Sequence, residues 1–240
     1  MTIVGGEVDT VGIAEARSAL AWWLEAGVDS VIQEEPRNWL KQPAARQAAA
    51  TPETKPNVAS PTHQTLSDLQ QWFASSLDLP FAASSGRRIL PHGPENAAVM
   101  LLTETPTLQD AAAGQPIGGD AWELTKRMLA AIGLSAADAY VGSLSCVDAP
   151  GAKMSKAERD SCADIARQHI GLARPRRLLL FGGGPCVALL GKTLPEARGH
   201  VHTIEGVRTV ATFHPRQLIN QPSNKSLAWK DLLLLMEDES

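Results

Sequence analysis

The chain has little cysteine, few aromatic residues and no excess of basic charge. Three cysteines in 240 residues, Cys146, Cys162 and Cys186, are too sparse and odd in number for the disulfide framework of a small secreted domain. A formal net charge of −4 excludes a protein that coats nucleic acid non-specifically, so any DNA must be met by a local basic patch. Aromatic residues make up 5 % of the chain, and none interleave with basic residues as a base-stacking platform requires. Long apolar runs are missing: Leu232–Met236 is far too short to span a bilayer. No basic stretch followed by an apolar core opens the chain, which predicts no leader, no membrane contact and a cytoplasmic protein.

What is present is a core. Hydrophobic residues reach 44 %, enough to exclude wholesale disorder. Ile13, Ala16, Leu20, Trp23 and Leu24 recur at helical spacing over Val11–Gly27, and a shorter piece follows over Ser30–Leu40. Residues 41–65 turn to Ala, Pro, Thr, Gln and Lys, the composition of a linker. The organisation is therefore a helical appendage over 1–40, a flexible linker over 41–65 and one domain over 66–240. The appendage holds Trp22, Trp23 and Trp39, which either dock it to the body or recruit a protein partner.

The domain alternates. After a helix over Leu66–Leu77 come strands at Ala97–Leu102, Ala139–Leu144, Arg177–Phe181 and Val207–Thr212. Helices at Asp120–Ile132, Ser155–Leu172, Pro185–Leu190 and Ser226–Met236 separate and follow them, with Trp229 facing inward on the last. Ser155 and Glu158 form a capping box at the start of the second of these. Apolar strands alternating with helices predict a three-layer α/β/α fold around a mainly parallel four-stranded sheet. Ligands of such sheets sit at the carboxyl ends of the strands, in the loops starting at Thr103, Ser145, Gly182 and Phe213.

In the first loop Glu104 follows a buried strand directly. It reads either as an acid that positions water or opposes a cation, or as a solvated residue capping a helix, and position alone favours the cap. In the fourth loop, Phe213-His214-Pro215-Arg216-Gln217-Leu218-Ile219, His214 can donate a hydrogen bond to a leaving group. Arg216 can meet phosphate, and Leu218 or Ile219 can wedge into a base stack. A structural His at a helix start fits that pattern equally well. Gly182-Gly183-Gly184-Pro185 lacks the Lys-Ser/Thr of a P-loop, which leaves tight strand-to-helix packing ahead of phosphate binding. Cys146 and Cys162 alone read as core residues, and Cys186 as packing.

Taken in order, these loops resemble the iron–sulfur branch of the uracil-DNA glycosylases. Arg198-Gly199-His200, Val210-Ala211-Thr212-Phe213-His214-Pro215, Leu218-Ile219, Pro222, Lys225 and Trp229-Lys230-Asp231-Leu232 resemble that family's RG … TYHPSxLL … P … K … W.DL pattern. Leu101–Pro106 resembles its apolar strand and GEAPG loop, and Asp110, Gly114, Pro116 and Gly119 its ED..G.PFVG segment. Glu158 and Cys162, with Cys146, resemble its cysteine-bearing helix and strand end.

The resemblance implies that Glu104 sits beside the attacking water and that His214 stabilises the departing base. It puts Thr105, Pro106, Ile117 and Gly142 or Ser143 around the substrate, and Arg216, Leu218, Ile219 and Lys225 against DNA. Three departures stand out. Ile117 occupies the position of a Phe that stacks on the flipped base, and Gly142, or Ser143 one residue on, that of an Asn that reads the uracil edge. No cysteine lies over Ser75–Asp78, where the first two cluster ligands belong. With Cys146 and Cys162 alone, no iron–sulfur cluster and no other metal is expected. The expectation is a glycosylase for deaminated bases in DNA with altered base recognition. The alternative is a non-catalytic DNA-binding or repair-partner protein on the same scaffold.

Overall fold

Five consecutive residues, Val99–Thr103, form strand β1, and each is buried, because helices cover the sheet on both sides. The computed structural model describes residues 62–79, 86–148 and 154–237. The helical appendage, with Trp22, Trp23 and Trp39, and most of the linker lie outside the described residues. His63 to Thr65 are described: His63 packs against Trp72 at 5.2 Å between rings, and Thr65 caps the first described helix through the Asp68 amide.

That helix, α1, spans Leu66–Ser75. After β1 come α2 (Leu108–Ala113), α3 (Gly119–Ala131) and β2 (Ala139–Ser143). Then follow α4 (Lys156–Ala173), β3 (Arg177–Phe181), α5 (Gly183–Leu190) and α6 (Leu194–Ala197). The hairpin β4 (Val201–Ile204) and β5 (Val207–Thr212) leads to α7 (Pro215–Asn220) and α8 (Lys225–Met236). The sheet runs β2-β1-β3-β5-β4, parallel except for β4. β1 pairs β2 with Thr103 beside Ser143, and β3 pairs β5 with Phe181 beside Thr212.

Alternate side chains sort the core into two faces. Met100, Leu102, Tyr140, Leu178 and Leu180 meet Cys162 and Ile170 of α4 and Leu189 of α5. Val99, Leu101, Val141, Leu179 and Phe181 meet Leu129 of α3, Leu218 of α7 and Leu232 of α8. A smaller cluster joins Leu69 and Phe73 of α1 to Cys146 and to Ile165 of α4.

The three-layer α/β/α arrangement and the parallel core are as the sequence predicts, and the capping box of Ser155 and Glu158 opens α4. The sheet has five strands where the sequence reading had four. β4 is an edge strand with one buried residue, Ile204, so no apolar pattern marks it. Its turn, Glu205-Gly206, has positive φ at both positions (49° and 78°), as a two-residue type I′ hairpin requires. The short helices α2, α6 and α7 carry too few turns for a period to be read. The opposite edge is covered by residues 88–92, which bond back to Val141 and Cys146. Trp229 does not face inward: it is 42 % exposed and rims an apolar recess of about 170 Å³ with Leu124, Met128, Lys225 and Leu232. No described helix is long and apolar enough to cross a membrane.

Candidate active site

The sheet order places the loops after β1, β3 and β5 side by side, so Glu104 and His214 flank the glycine turn between them. Gly182 has φ +84°, open to glycine and strained for other residues. A Cβ on it would lie 3.6 Å from the His214 Cβ. A Cβ on Gly184 would fall on the Glu104 side chain, 2.6 Å from Oε2. The glycines therefore do more than let a helix follow a strand closely: they leave room for the carboxylate against the first turn of α5, where the helix dipole favours negative charge. Cys186 Sγ donates to the Gly182 carbonyl at 3.1 Å and holds the turn, its thiol pushed up to about 11 by burial.

His214 is the N-cap of α7. Its Nδ1 accepts from the Arg216 amide at 3.1 Å, an arrangement that requires an unprotonated Nδ1 and leaves Nε2 as the donor. Burial, then the Arg216 charge, push His214 down to about 4 against a smaller opposing pull from Asp110, so the ring is neutral at pH 7. The Phe181 ring meets it edge-on at 6.0 Å.

Residues distant in sequence hold this loop. Thr212 Oγ1 donates to Asp231 Oδ2 at 2.7 Å, and Arg198 Nε reaches the same oxygen at 2.8 Å. The Arg198 guanidinium also covers the Phe213 ring at 4.2 Å. Burial raises Asp231, opposed by its bonds from Thr212, Arg198 and the Gly199 backbone. Arg216 Nη2 pairs with Asp110 Oδ1 at 2.6 Å rather than standing out toward solvent. Leu218, expected at the DNA surface, is instead 1 % exposed and part of the core, because the first turn of α7 lies on the sheet. Ile219, the next residue, is 39 % exposed, and Lys225 is exposed at the start of α8.

Among the expected substrate contacts, Thr105 is half-buried and Pro106 buried beside Glu104. Ile117 is fully buried among Leu179, Phe181 and Leu218, a wall of the core rather than an open stacking surface. Gly142 points the wrong way. A Cβ there would lie 3.4 Å from His169 Cε1 and 3.6 Å from the Pro91 Cβ, on the face opposite Ile117 and Phe181. Ser143 alternates back to the Phe181 face, with its hydroxyl donating to the Ser145 carbonyl at 2.8 Å. Sequence reasoning gave no role to His169, which burial pushes down to about 4 and which bonds the Tyr140 hydroxyl at 2.9 Å. It also missed Gly184 and Asp110, whose signals were a glycine triplet and one acidic residue in a motif.

A model of the uracil DNA glycosylase superfamily matches residues 90–234. The chain belongs to that superfamily. Two type-4 uracil-DNA glycosylases are among its relatives. That of Pyrobaculum aerophilum is 25 % identical over 153 residues, 59 % of this chain and 78 % of its own. That of Archaeoglobus fulgidus is 25 % identical over 141 residues, 54 % of this chain and 71 % of its own.

The described residues do not fit the four-thiolate cluster of that branch. Cys146 and Cys162 are both buried, and burial pushes each thiol up to about 12, away from the thiolate a cluster binds. Across from them, Ser75 Oγ donates to the Gln71 carbonyl at 2.9 Å, and Ser76 Oγ accepts from the Asp78 amide at 3.0 Å. Arg88 Nη1 donates to the Phe73 carbonyl at 2.8 Å and Nη2 to the Ser76 carbonyl, so a cation closes the end of α1. Among the described residues no group of three or more His, Cys, Asp or Glu could hold a metal.

Proposed function

We propose that this superfamily member is a DNA N-glycosylase that releases a deaminated base during base-excision repair, with altered base recognition and without an iron–sulfur cluster. The observation that carries the reading is the pairing of Glu104 and His214 around one glycine turn, with His214 held as a neutral Nε2–H donor. The base leaves with the electron pair of the N-glycosidic bond, and the Nε2–H of His214 stabilises the charge developing on it. Glu104 opposes the positive charge on the sugar and orients a water. The water oxygen bonds to the anomeric carbon, and its proton passes to the carboxylate. The products are a free base and an abasic sugar.

Base choice rests on the edge contacts, since hydrogen bonds to the base supply most discrimination. Ser143 takes the place of an amide on the site's face, and Ile117, buried in the core, leaves the base no aromatic ring to stack on. Such a pocket discriminates less between deaminated bases than one with an amide. Ile219 and Lys225 are the surface residues placed to meet the DNA strand, with Ile219 as the wedge.

A second reading, a DNA-binding protein without catalysis, is favoured by the full burial of Ile117, which offers a flipped base no face to stack on. The test uses the full chain with single- and double-stranded oligonucleotides carrying uracil, hypoxanthine or xanthine, followed by alkali. Strand cleavage, lost in His214→Ala and Glu104→Ala, supports the enzyme. Retained DNA binding with no base released supports the second reading.

A further inference from the structure

Asp110 is 1 % exposed, yet all of its acceptor capacity is used, and by three separate elements. Oδ2 accepts from the Thr107 amide and hydroxyl, both at 2.8 Å, which closes the capping box of α2. Oδ1 accepts from the Gly118 amide at 2.6 Å, at the entry to α3. The same oxygen takes Arg216 Nη2 at 2.6 Å, a residue 106 positions further along the chain. Arg216 in turn gives its backbone amide to Nδ1 of His214. Helix capping alone needs only the Thr107 contacts. A phosphate-binding arginine would offer its fork to solvent, whereas this side chain is 29 % exposed and Nε is buried.

We infer that Asp110 is a positioning residue: through Arg216 it fixes the ring orientation and tautomer of His214, and it locks the Glu104 loop and the His214 loop into one register. The inference rests on the glycosylase reading for its catalytic meaning and on the hydrogen-bond chain for its structure. A single bond across a three-residue turn leaves an imidazole free to rock. Anchoring the guanidinium to a carboxylate that is itself tied to Thr107 and Gly118 removes that freedom. The carboxylate sits six residues after Glu104, on the helix that follows the Glu104 loop, so the segment after β1 both presents the acid and braces the donor. Orientation of this kind governs rate more than ground-state affinity.

The charged groups facing His214 are Arg216 and Asp110, while Phe181 and Gly182 on the β3 side are neutral. Removing one partner or the other therefore moves the imidazole in opposite directions. In Arg216→Gln the buried carboxylate is unopposed, and the His214 titration midpoint rises. In Asp110→Asn the arginine is unopposed, and the midpoint falls.

The experiment is a nuclear magnetic resonance titration of isotopically labelled histidine in the full chain, with His214 assigned by its loss in His214→Gln. Single-turnover base release is measured in parallel. Expected are opposite-sign shifts in the two variants and an Nε2–H tautomer in the wild type that becomes mixed in both. The release rate should fall roughly 100-fold in each, with little change in DNA affinity and partial recovery in Arg216→Lys. An unmoved His214 resonance, together with weaker DNA binding and a shallower salt dependence in Arg216→Gln, would make Arg216 a phosphate contact and overturn the proposal. If the wild type releases no base, the glycosylase reading fails, and the titration alone still decides whether Asp110 positions His214.

Discussion

The Glu104 carboxyl occupies the space that a side chain on Gly184 would fill. Gly184→Ala is therefore expected to displace the acid while leaving the helix intact. Gly184 lies in the first turn of α5 with no positive φ, so alanine fits its backbone without strain and thermal stability should hold. Base release should drop by roughly 100-fold, the scale of a misplaced catalytic group. An active Gly184→Ala would show that Glu104 is free to work from another position.

Gly142→Asn tests whether the missing amide can be restored by sequence alignment alone. The new side chain would press on His169 and Pro91, and overpacking of a close-packed core costs typically about 1–3 kcal/mol. Lower stability with no gain in uracil selectivity is expected, measured by denaturant unfolding and by competition between uracil and hypoxanthine substrates. Ser143→Asn is the comparison that places an amide on the Phe181 face.

Two histidines, His169 buried and His214 half-buried, set an acid limb on stability. His169 and His214 are both pushed by burial from the usual imidazole value to about 4 in the folded chain. Above pH 6.5 both are neutral whether folded or unfolded, and the stability they permit is fully present. As the pH falls from 6.5 toward 4 the unfolded chain takes up protons that the folded chain refuses, so stability declines through that window. Urea midpoints measured from pH 7 to pH 4 should fall, and less steeply in His169→Gln or His214→Gln. A flat profile in the wild type would contradict the burial of these rings as neutral groups.

Arg198→Ala removes the cation from a carboxylate that is 1 % exposed. Breaking a buried pair from one side costs about 3–5 kcal/mol, because the remaining charge is uncompensated. The loss should shrink in acid, since burial already raises Asp231 and protonation removes the unpaired charge. Unfolding measured at pH 7 and pH 4 compares the two states, and the Phe213–His214 backbone should exchange amide protons faster in the variant.

The cysteine region gives a test of cofactor content. Purified protein is expected to contain no stoichiometric iron and to lack broad absorbance in the visible-blue region. Arg88→Ala should cost roughly 2 kcal/mol, since hydrogen bonds from a charged donor to two helix carbonyls are lost. Iron at stoichiometric level in the wild type would refute the fit argument outright.

Strands β1 and β3 were legible in the sequence because residues buried on both faces leave short apolar runs, whereas β2 and β5, mixed in composition, were legible from their place in the strand–helix alternation. The capping box of Ser155 and Glu158 was legible because it is local. β4 was not, since an edge strand with one buried residue carries no period. Among the site residues, Glu104 and His214 could be named from their loops, as each directly follows a strand. Leu218 and Trp229 were misread: which side of a short helix meets the sheet depends on the packing of the whole helix. Gly142 and Ser143 could not be separated, because one step along a strand reverses the face.

The sequence by itself determined the layered α/β framework, the superfamily resemblance, the two chemical groups at the strand ends and the shortage of thiols. These depend on local pattern and on residue identity. The tertiary structure alone decided that Gly184 makes room for Glu104, that Asp110 reaches Arg216 and through it His214, that Asp231 joins Thr212 to Arg198, and that Arg88 closes α1 beside the buried cysteines. Those contacts join positions up to 106 residues apart. No local propensity encodes them; they exist because folding brings the strand ends together and buries the Asp110 and Asp231 carboxylates, which then need partners.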